Sequence, residues 1–178
     1  MGDYWQSSEE ELPRIKRVME GVQKYVENKN NVLFLVMKSW NDNAVIYEYN
    51  DSSNNAIGVN WISFEKADVD RHISHGNLSL RSELNPAEIA LFGCNVDIAD
   101  GNRFIVHMSA SQLENRVFEL VMDSKGNPAI IGTINGNMSR INYAYVQMKK
   151  GFVPLGDYMN LYGTNLKTGK EEIEKIMA

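Results

Sequence analysis

The sequence predicts an α+β protein that is mainly antiparallel β, either a barrel or a sandwich of about nine strands. An apolar stripe over residues 8–27 predicts an N-terminal amphipathic helix, and a cap signal predicts a short middle helix over 85–92. Alternating apolar residues within 32–64 and 94–162 predict strands. The turns of the second region are too short for the crossovers that parallel strands need, so we expect antiparallel pairing.

Length and composition indicate one globular domain over 1–178. The chain has 178 residues, of which 43% are hydrophobic and 23% are charged, close to average usage. A chain of this length buries about 70% of its unfolded surface and needs no disulfide to fold. Its net charge of −5 argues against nucleic acid as a partner.

The N-terminal helix is predicted from apolar residues that recur three and four positions apart. Ser7 or Ser8 can cap it, and the acids at 9–11 suit the positive end of its dipole. We expect the stripe to pack into the core, and docking on a partner protein is the alternative. The stripe consists of Leu12, Ile15, Val18, Met19, Val22, Tyr25 and Val26.

The pattern then changes to alternation, which is typical of strands. Val32–Lys38 and Ala44–Asn50 should form a hairpin, and Ala56–Phe64 a third strand after a polar loop at 51–55. Residues 65–80 show no clean period, and we predict a loop or short helix there.

A helix start follows at Asn85, with Pro86 in the first turn and Glu88 three residues after the cap. This is the capping-box arrangement, and Gly93 should end the helix.

The C-terminal half is predicted as successive hairpins. Asp100–Gly101 and Asn135–Gly136 are strong two-residue hairpin signals. The tail at 171–177 is predicted as a short helix or frayed end. The strands are expected over 94–99, 102–109, 113–123, 129–134, 139–149 and 155–162.

The single cysteine, Cys94, cannot form an internal disulfide. We interpret it as a small buried hydrophobe, with a catalytic thiol as the alternative. The N-terminus lacks the basic and apolar run of a signal peptide, and the longest apolar run, Val32–Met37, is too short for a membrane span. We therefore expect a soluble, cytoplasmic protein.

Motifs for metal or catalytic chemistry are weak. His72 and His75 supply two potential metal ligands, whereas a catalytic site needs about three. The glycines at the C-terminal end lack the spacing of a phosphate-binding loop, and no nucleophile motif occurs. We predict no metal, no cofactor and no catalytic residue.

One face of the predicted strands is apolar with isolated polar side chains. That mixture suits a ligand cavity with a few orienting groups, and it equally suits an outer sheet face covered by loops. On the cavity interpretation, the candidate ligand-binding residues are Asn60, His107, Arg140 and Tyr143.

The order of turns and strands resembles an uncharacterised domain family of bacterial and eukaryotic proteins over about 32–176. The resemblance implies a compact β-rich domain and no named chemistry. Bacterial members tend to carry export signals, and none is visible here. The motifs that carry it are Val59–Ile62, Leu91–Gly93, Asp123-x-x-Gly126-x-Pro128, Ile134–Gly136, a tyrosine-rich strand and Leu161–Lys170.

Three functions stay open. The first is a non-enzymatic binding module for a small apolar or amphipathic ligand. The second is an interaction or assembly protein, binding a partner or a second copy through the N-terminal helix and the tyrosine-rich strand Tyr143–Tyr145. The third is an enzyme of unrecognised class. An internal cavity would favour the first, and an exposed aromatic patch the second.

Overall fold

The computed structural model describes residues 2–50, 56–75, 80–100, 103–148 and 156–177. Its helices are α1 (Gly2–Tyr25), α2 (Lys66–His75) and α3 (Pro86–Phe92), with a short 3₁₀ turn at Lys29–Asn31. Eleven strands of the described residues form one sheet. They are β1 (Val32–Lys38), β2 (Asn43–Tyr49), β3 (Ile57–Ser63), β4 (Arg81–Glu83), β5 (Cys94–Asp100), β6 (Arg103–Met108), β7 (Phe118–Met122), β8 (Pro128–Ile134), β9 (Asn137–Met148), β10 (Gly156–Asn165) and β11 (Glu171–Met177).

Strand β9 joins the two halves of the sheet. Residues 137–140 of β9 pair antiparallel with β8, and residues 143–146 pair parallel with β1 on the same edge. Strand β10 pairs along the other edge and carries β11. From β9 the sheet extends as a first arm, β1-β2-β3-β4, and a second arm, β8-β7-β6-β5. The mostly antiparallel sheet curls into a half-barrel, which confirms the predicted fold class.

The main core lies between the inner faces of the two arms. Val36 and Tyr47 of the first arm belong to one buried apolar cluster with Leu120 and Ile130 of the second. Ala144 of β9 belongs to the same cluster. Since each strand alternates its side chains, the residues between these face outward.

The outer face of the first arm is covered by α1. Ile15, Val18 and Val22 are buried in a second apolar cluster with Leu35 of β1 and Ile46 of β2. This confirms the central part of the predicted stripe. The helix starts at Gly2 rather than at residue 8 and ends at Tyr25.

Leu12 was wrongly assigned to the packed stripe, since 67% of its surface is exposed. The buried position one turn before Ile15 is Glu11, at 7% exposure. The buried side of the helix therefore continues to a carboxylate rather than to a leucine.

Two element predictions need correction. The tail at 171–177 is strand β11, paired antiparallel with β10, and not a helix. The strand expected at 113–123 begins only at Phe118, after a turn at 111–115.

Other local predictions are confirmed. Residues 66–75 form a short helix, and Asn85 and Glu88 make the capping box that begins α3. The Asn135–Gly136 turn has φ of 52° and 78°, the left-handed conformation that a type I′ hairpin turn requires. The loop predicted at 51–55 and the turn residues Gly101 and Asn102 lie outside the described residues.

Candidate ligand site

A cavity of about 600 Å³ opens where the ends of the two arms approach each other beside α3. Its volume is in the range of small-molecule sites in proteins, about 300–1,000 Å³. The first arm contributes one wall and the second arm the other, with α3 between them. The lining residues are Ile57, Gly58, Val59 and Asn60 of β3, Glu83 and Leu84 at β4, Ile89, Ala90 and Gly93 at α3, Cys94 and Asn95 of β5, and Ser109.

Helix α3 is fixed at both ends by backbone hydrogen bonds. At its start, the Asn85 side chain accepts from the Glu88 amide at 2.8 Å. At its end, the Gly93 amide donates to the Ile89 carbonyl at 2.8 Å, and the Gly93 carbonyl accepts from Ser109 at 2.9 Å. A Cβ at Gly93 would lie 2.5 Å from the Ile89 carbonyl oxygen, so a side chain there would displace this wall of the cavity.

Aromatic contacts hold the same helix against the first arm. The ring of Phe92 packs edge-on against Trp61, with centroids 5.4 Å apart. The buried Tyr47 hydroxyl donates to the Phe92 carbonyl at 2.6 Å. On the other side of this cluster, Lys38 Nζ lies 4.2 Å from the Trp61 ring centroid, and burial lowers the pKa of Lys38. The wall of the cavity formed by α3 is therefore preformed.

Apolar and polar groups occupy different parts of the cavity. Ile57 is fully buried in the main core, and Val59 packs against that core. Asn60 and Glu83 stand directly opposite each other on β3 and β4, so their side chains share one face of the sheet. Asn95 adds a second amide from the second arm. The cavity has an apolar floor and a polar rim.

Cys94 lines the cavity as a neutral thiol. Burial raises its pKa to about 11, well above the value of about 8.5 for a free thiol. Because the thiolate is the reactive form, this environment does not favour a nucleophilic role. The buried-hydrophobe interpretation of Cys94 suits its position at the edge of the main core.

The structure does not bring the four predicted site residues together. Asn60 lines the cavity. His107 is exposed on β6, with its Nε2 3.2 Å from Asp97 Oδ2. Arg140 is exposed on β9, opposite Ile131 of β8.

Tyr143 lies in a separate polar cluster beneath α1. Its ring stacks on Tyr162 with centroids 4.7 Å apart. The Tyr162 hydroxyl donates to Glu11 at 2.5 Å, and Asn160 Nδ2 donates to the same carboxylate at 2.9 Å. Burial and the bond to Glu11 raise the pKa of Tyr162. This cluster attaches the helix to β10.

Sequence reasoning missed Glu83, Asn95 and the α3 wall formed by Ile89 and Ala90. Glu83 belongs to a strand of three residues, which is too short for a period to show. Asn95 alternates with apolar residues in β5, and this alternation is the sequence signal that could have identified it as a site residue.

Neither a metal-binding cluster nor a membrane-spanning helix is found among the described residues. No group of three or more His, Cys, Asp or Glu side chains there is arranged to hold a metal ion. The side chains of His72 and His75 fall outside the described residues. No described helix has the length and apolar character needed to cross a membrane.

Comparison with known proteins identifies a family. The model of a family described as a domain of unknown function, DUF4833, matches residues 34–175. No curated protein and no solved structure matches the chain. The matched span runs from β1 into β11 and leaves α1 outside it. The sequence resemblance to an uncharacterised β-rich family is thereby confirmed.

Proposed function

We propose that this chain, which belongs to the DUF4833 family, is a non-enzymatic binding module for a small apolar or amphipathic molecule. The observation that carries the proposal is the cavity of about 600 Å³ between the two arms and α3. It combines an apolar floor with a few polar groups at the rim, which is the composition typical of small-molecule sites.

The fixed walls favour binding, because a preformed site loses little conformational entropy when it is filled. A ligand that removes about 200 Å² of apolar surface from water gains about 5 kcal/mol before the cost of association. That gain exceeds the cost of association only if the cavity walls stay in place. The hydrogen bonds of Gly93 and the packing of Phe92 hold them there.

Of the residues predicted from the sequence, the proposal retains Asn60 at the cavity rim. His107, Arg140 and Tyr143 lie on other surfaces, and the proposed ligand does not need them. The thiol of Cys94 is a potential nucleophile in the cavity lining, and its raised pKa supports binding over catalysis.

The alternative, assembly through α1 and the tyrosine-rich strand, has less support. Ile15, Val18 and Val22 already face the first arm, and Tyr145 is fully buried. An interface formed by these residues would require α1 to leave the sheet.

The test uses prodan, an uncharged naphthalene dye that fluoresces more strongly and at shorter wavelength in apolar surroundings. We expect saturable binding to the full chain and at least a tenfold weaker affinity in Ala90→Phe, which fills the cavity from α3. Ala87→Phe is the matched control, since Ala87 is exposed on the same helix and does not line the cavity. Equal dye binding by both variants, or none by the wild type, would contradict the proposal.

A further inference from the structure

We infer that the cavity selects ligands carrying a cationic amine on an apolar body. This inference rests on the proposed function, and it concerns the same site. It starts from Glu83, which is the one charged side chain among the described residues that line the cavity.

Glu83 is placed to receive a hydrogen-bond donor together with its neighbours. It stands opposite Asn60 across the β3–β4 pair, and Asn95 of the second arm lines the same cavity. An ionised carboxylate only accepts hydrogen bonds, and an amide carbonyl also accepts them. An ammonium group has three donors and no acceptor, so it matches this rim better than a carboxylate does.

Among the described residues, no cationic side chain of the cavity lining offsets the charge of Glu83. No described lining residue is a lysine, arginine or histidine, and Glu83 forms no ion pair among the described residues. Arg81, two residues earlier on β4, forms an ion pair with Glu48. Lys38 lies over the Trp61 ring. A cation in the cavity would therefore be attracted, and an anion repelled.

The apolar floor defines the rest of the ligand. Val59 and Ile89 offer hydrocarbon surface on both sides of the cavity, from β3 and from α3. A short aliphatic or aryl-alkyl chain can cover these residues while its terminal amine stays at the rim beside Glu83. Burial of the ligand's hydrocarbon chain supplies affinity, and the polar groups at the rim supply selectivity.

The experiment compares three probes that share one phenylbutyl body: phenylbutylamine, phenylbutanol and phenylpentanoic acid. Their affinities for the full chain are measured by prodan displacement and by calorimetry at neutral pH and low salt. We expect the amine to bind about threefold to tenfold more tightly than the alcohol, and the acid most weakly. High salt should reduce the difference between amine and alcohol.

Variants of Glu83 test the assignment directly. Glu83→Gln should bring the amine to within about twofold of the alcohol without changing alcohol binding, and Glu83→Lys should make the acid preferred over the amine. Glu114→Gln removes the same charge from an exposed position outside the cavity and should leave the order of affinities unchanged.

The outcomes separate the two proposals. If the alcohol binds the wild type as well as the amine does, or if the amine preference persists in Glu83→Gln, the inference about ligand class is wrong and the binding function stands. If neither prodan nor any of the three probes binds, the proposed function itself is wrong.

Discussion

Glu11 and Ile15 lie one helical turn apart on the buried side of α1, and they hold the helix by different means. Ile15 packs against the apolar outer face of the first arm. Glu11 accepts hydrogen bonds from Asn160 and Tyr162 of β10. A buried carboxylate is tolerated only when its oxygens are satisfied, so the two residues fix both the packing and the lateral position of the helix.

Truncating Ile15 should be costly. Ile15 is 6% exposed, so Ile15→Ala should lower the free energy of unfolding by about 2–5 kcal/mol through lost burial and a residual cavity. Leu12→Ala, at the exposed position three residues earlier, should cost less than about 0.5 kcal/mol. Urea unfolding of both variants checks this, and equal losses would show that α1 does not pack as described.

The bond between Glu11 and Tyr162 should appear as coupling in a double-mutant cycle. We expect Glu11→Gln and Tyr162→Phe to be non-additive by about 1–2 kcal/mol, because each removes the same charged hydrogen bond. Burial and the bond to Glu11 raise the pKa of Tyr162 in the folded protein. The stabilisation that this hydrogen bond gives is therefore complete below the unfolded tyrosine pKa of about 10, and it is lost at higher pH. Additive losses, or a tyrosine absorbance titration unchanged in Glu11→Gln, would contradict this.

For individual residues, the sequence predicts which apolar side chains are buried better than it predicts which polar side chains are buried. Ile15, Val18 and Val22 follow from periodicity alone. The sequence predicts for Glu11 only an interaction with the helix dipole. Its partner Asn160 is 149 residues away in the chain, and no local pattern encodes such a contact. Asn60 was found because it interrupts an apolar alternation, whereas Glu83 has no such context.

Among the elements, β11 shows how tertiary pairing overrides local propensity. Its residues are mostly good helix formers, and the sequence predicts a short helix or frayed end there. In the structure, alternate side chains turn inward, and Glu174 accepts a hydrogen bond from the Asn135 amide at 2.7 Å. Asn135 Nδ2 also donates to the Ile173 carbonyl at 2.6 Å. The β8–β9 turn therefore holds the last strand.

The ion pair between Arg116 and Glu174 should make the stability of this region depend on pH. The hydrogen bond from Arg116, with the backbone bond from Asn135, lowers the pKa of Glu174. Its contribution is thus present above the unfolded value of about 4.3 and is lost as pH falls through the lower folded value.

We expect Glu174→Gln to be about 1 kcal/mol or less below the wild type at neutral pH, since the pair is partly solvent-accessible. The difference should shrink as pH falls below the unfolded value of about 4.3 and disappear once the wild-type carboxylate is protonated as well. Urea unfolding across this pH range measures it, with Glu114→Gln as the exposed control. A difference that persists unchanged in acid would mean that Glu174 does not act through its charge.

For the whole molecule, the decisive feature is that both arms pair with one edge of β9. Turns and caps such as the Asn85 capping box depend on neighbouring residues, and the sequence predicts them. The parallel pairing of Val36 with Ala144 joins distant parts of the chain, and short turns gave no indication of it. The cavity results from this arrangement, because it forms where the arms meet again. Its position could therefore not be predicted strand by strand.

This topology predicts an order of backbone protection. Residues 139–140 of β9 pair with β10 and β8, and residues 143–146 pair with β10 and β1, so their amides exchange only when these central strand pairs open. Among the described strands, β4 and β5 end the arms and each pairs on one edge only, so local opening suffices there.

Hydrogen–deuterium exchange should therefore show β9 as the slowest segment and β4 and β5 as faster. Saturating prodan should slow exchange at Gly93–Asn95, which line the cavity, by closing off this local opening. Exchange in β9 reports global unfolding, so the ligand should slow it by no more than its overall effect on stability. Exchange of β9 at the rate of β5 would contradict the two-armed arrangement, whereas ligand protection confined to α1 would place binding on the opposite face of the first arm.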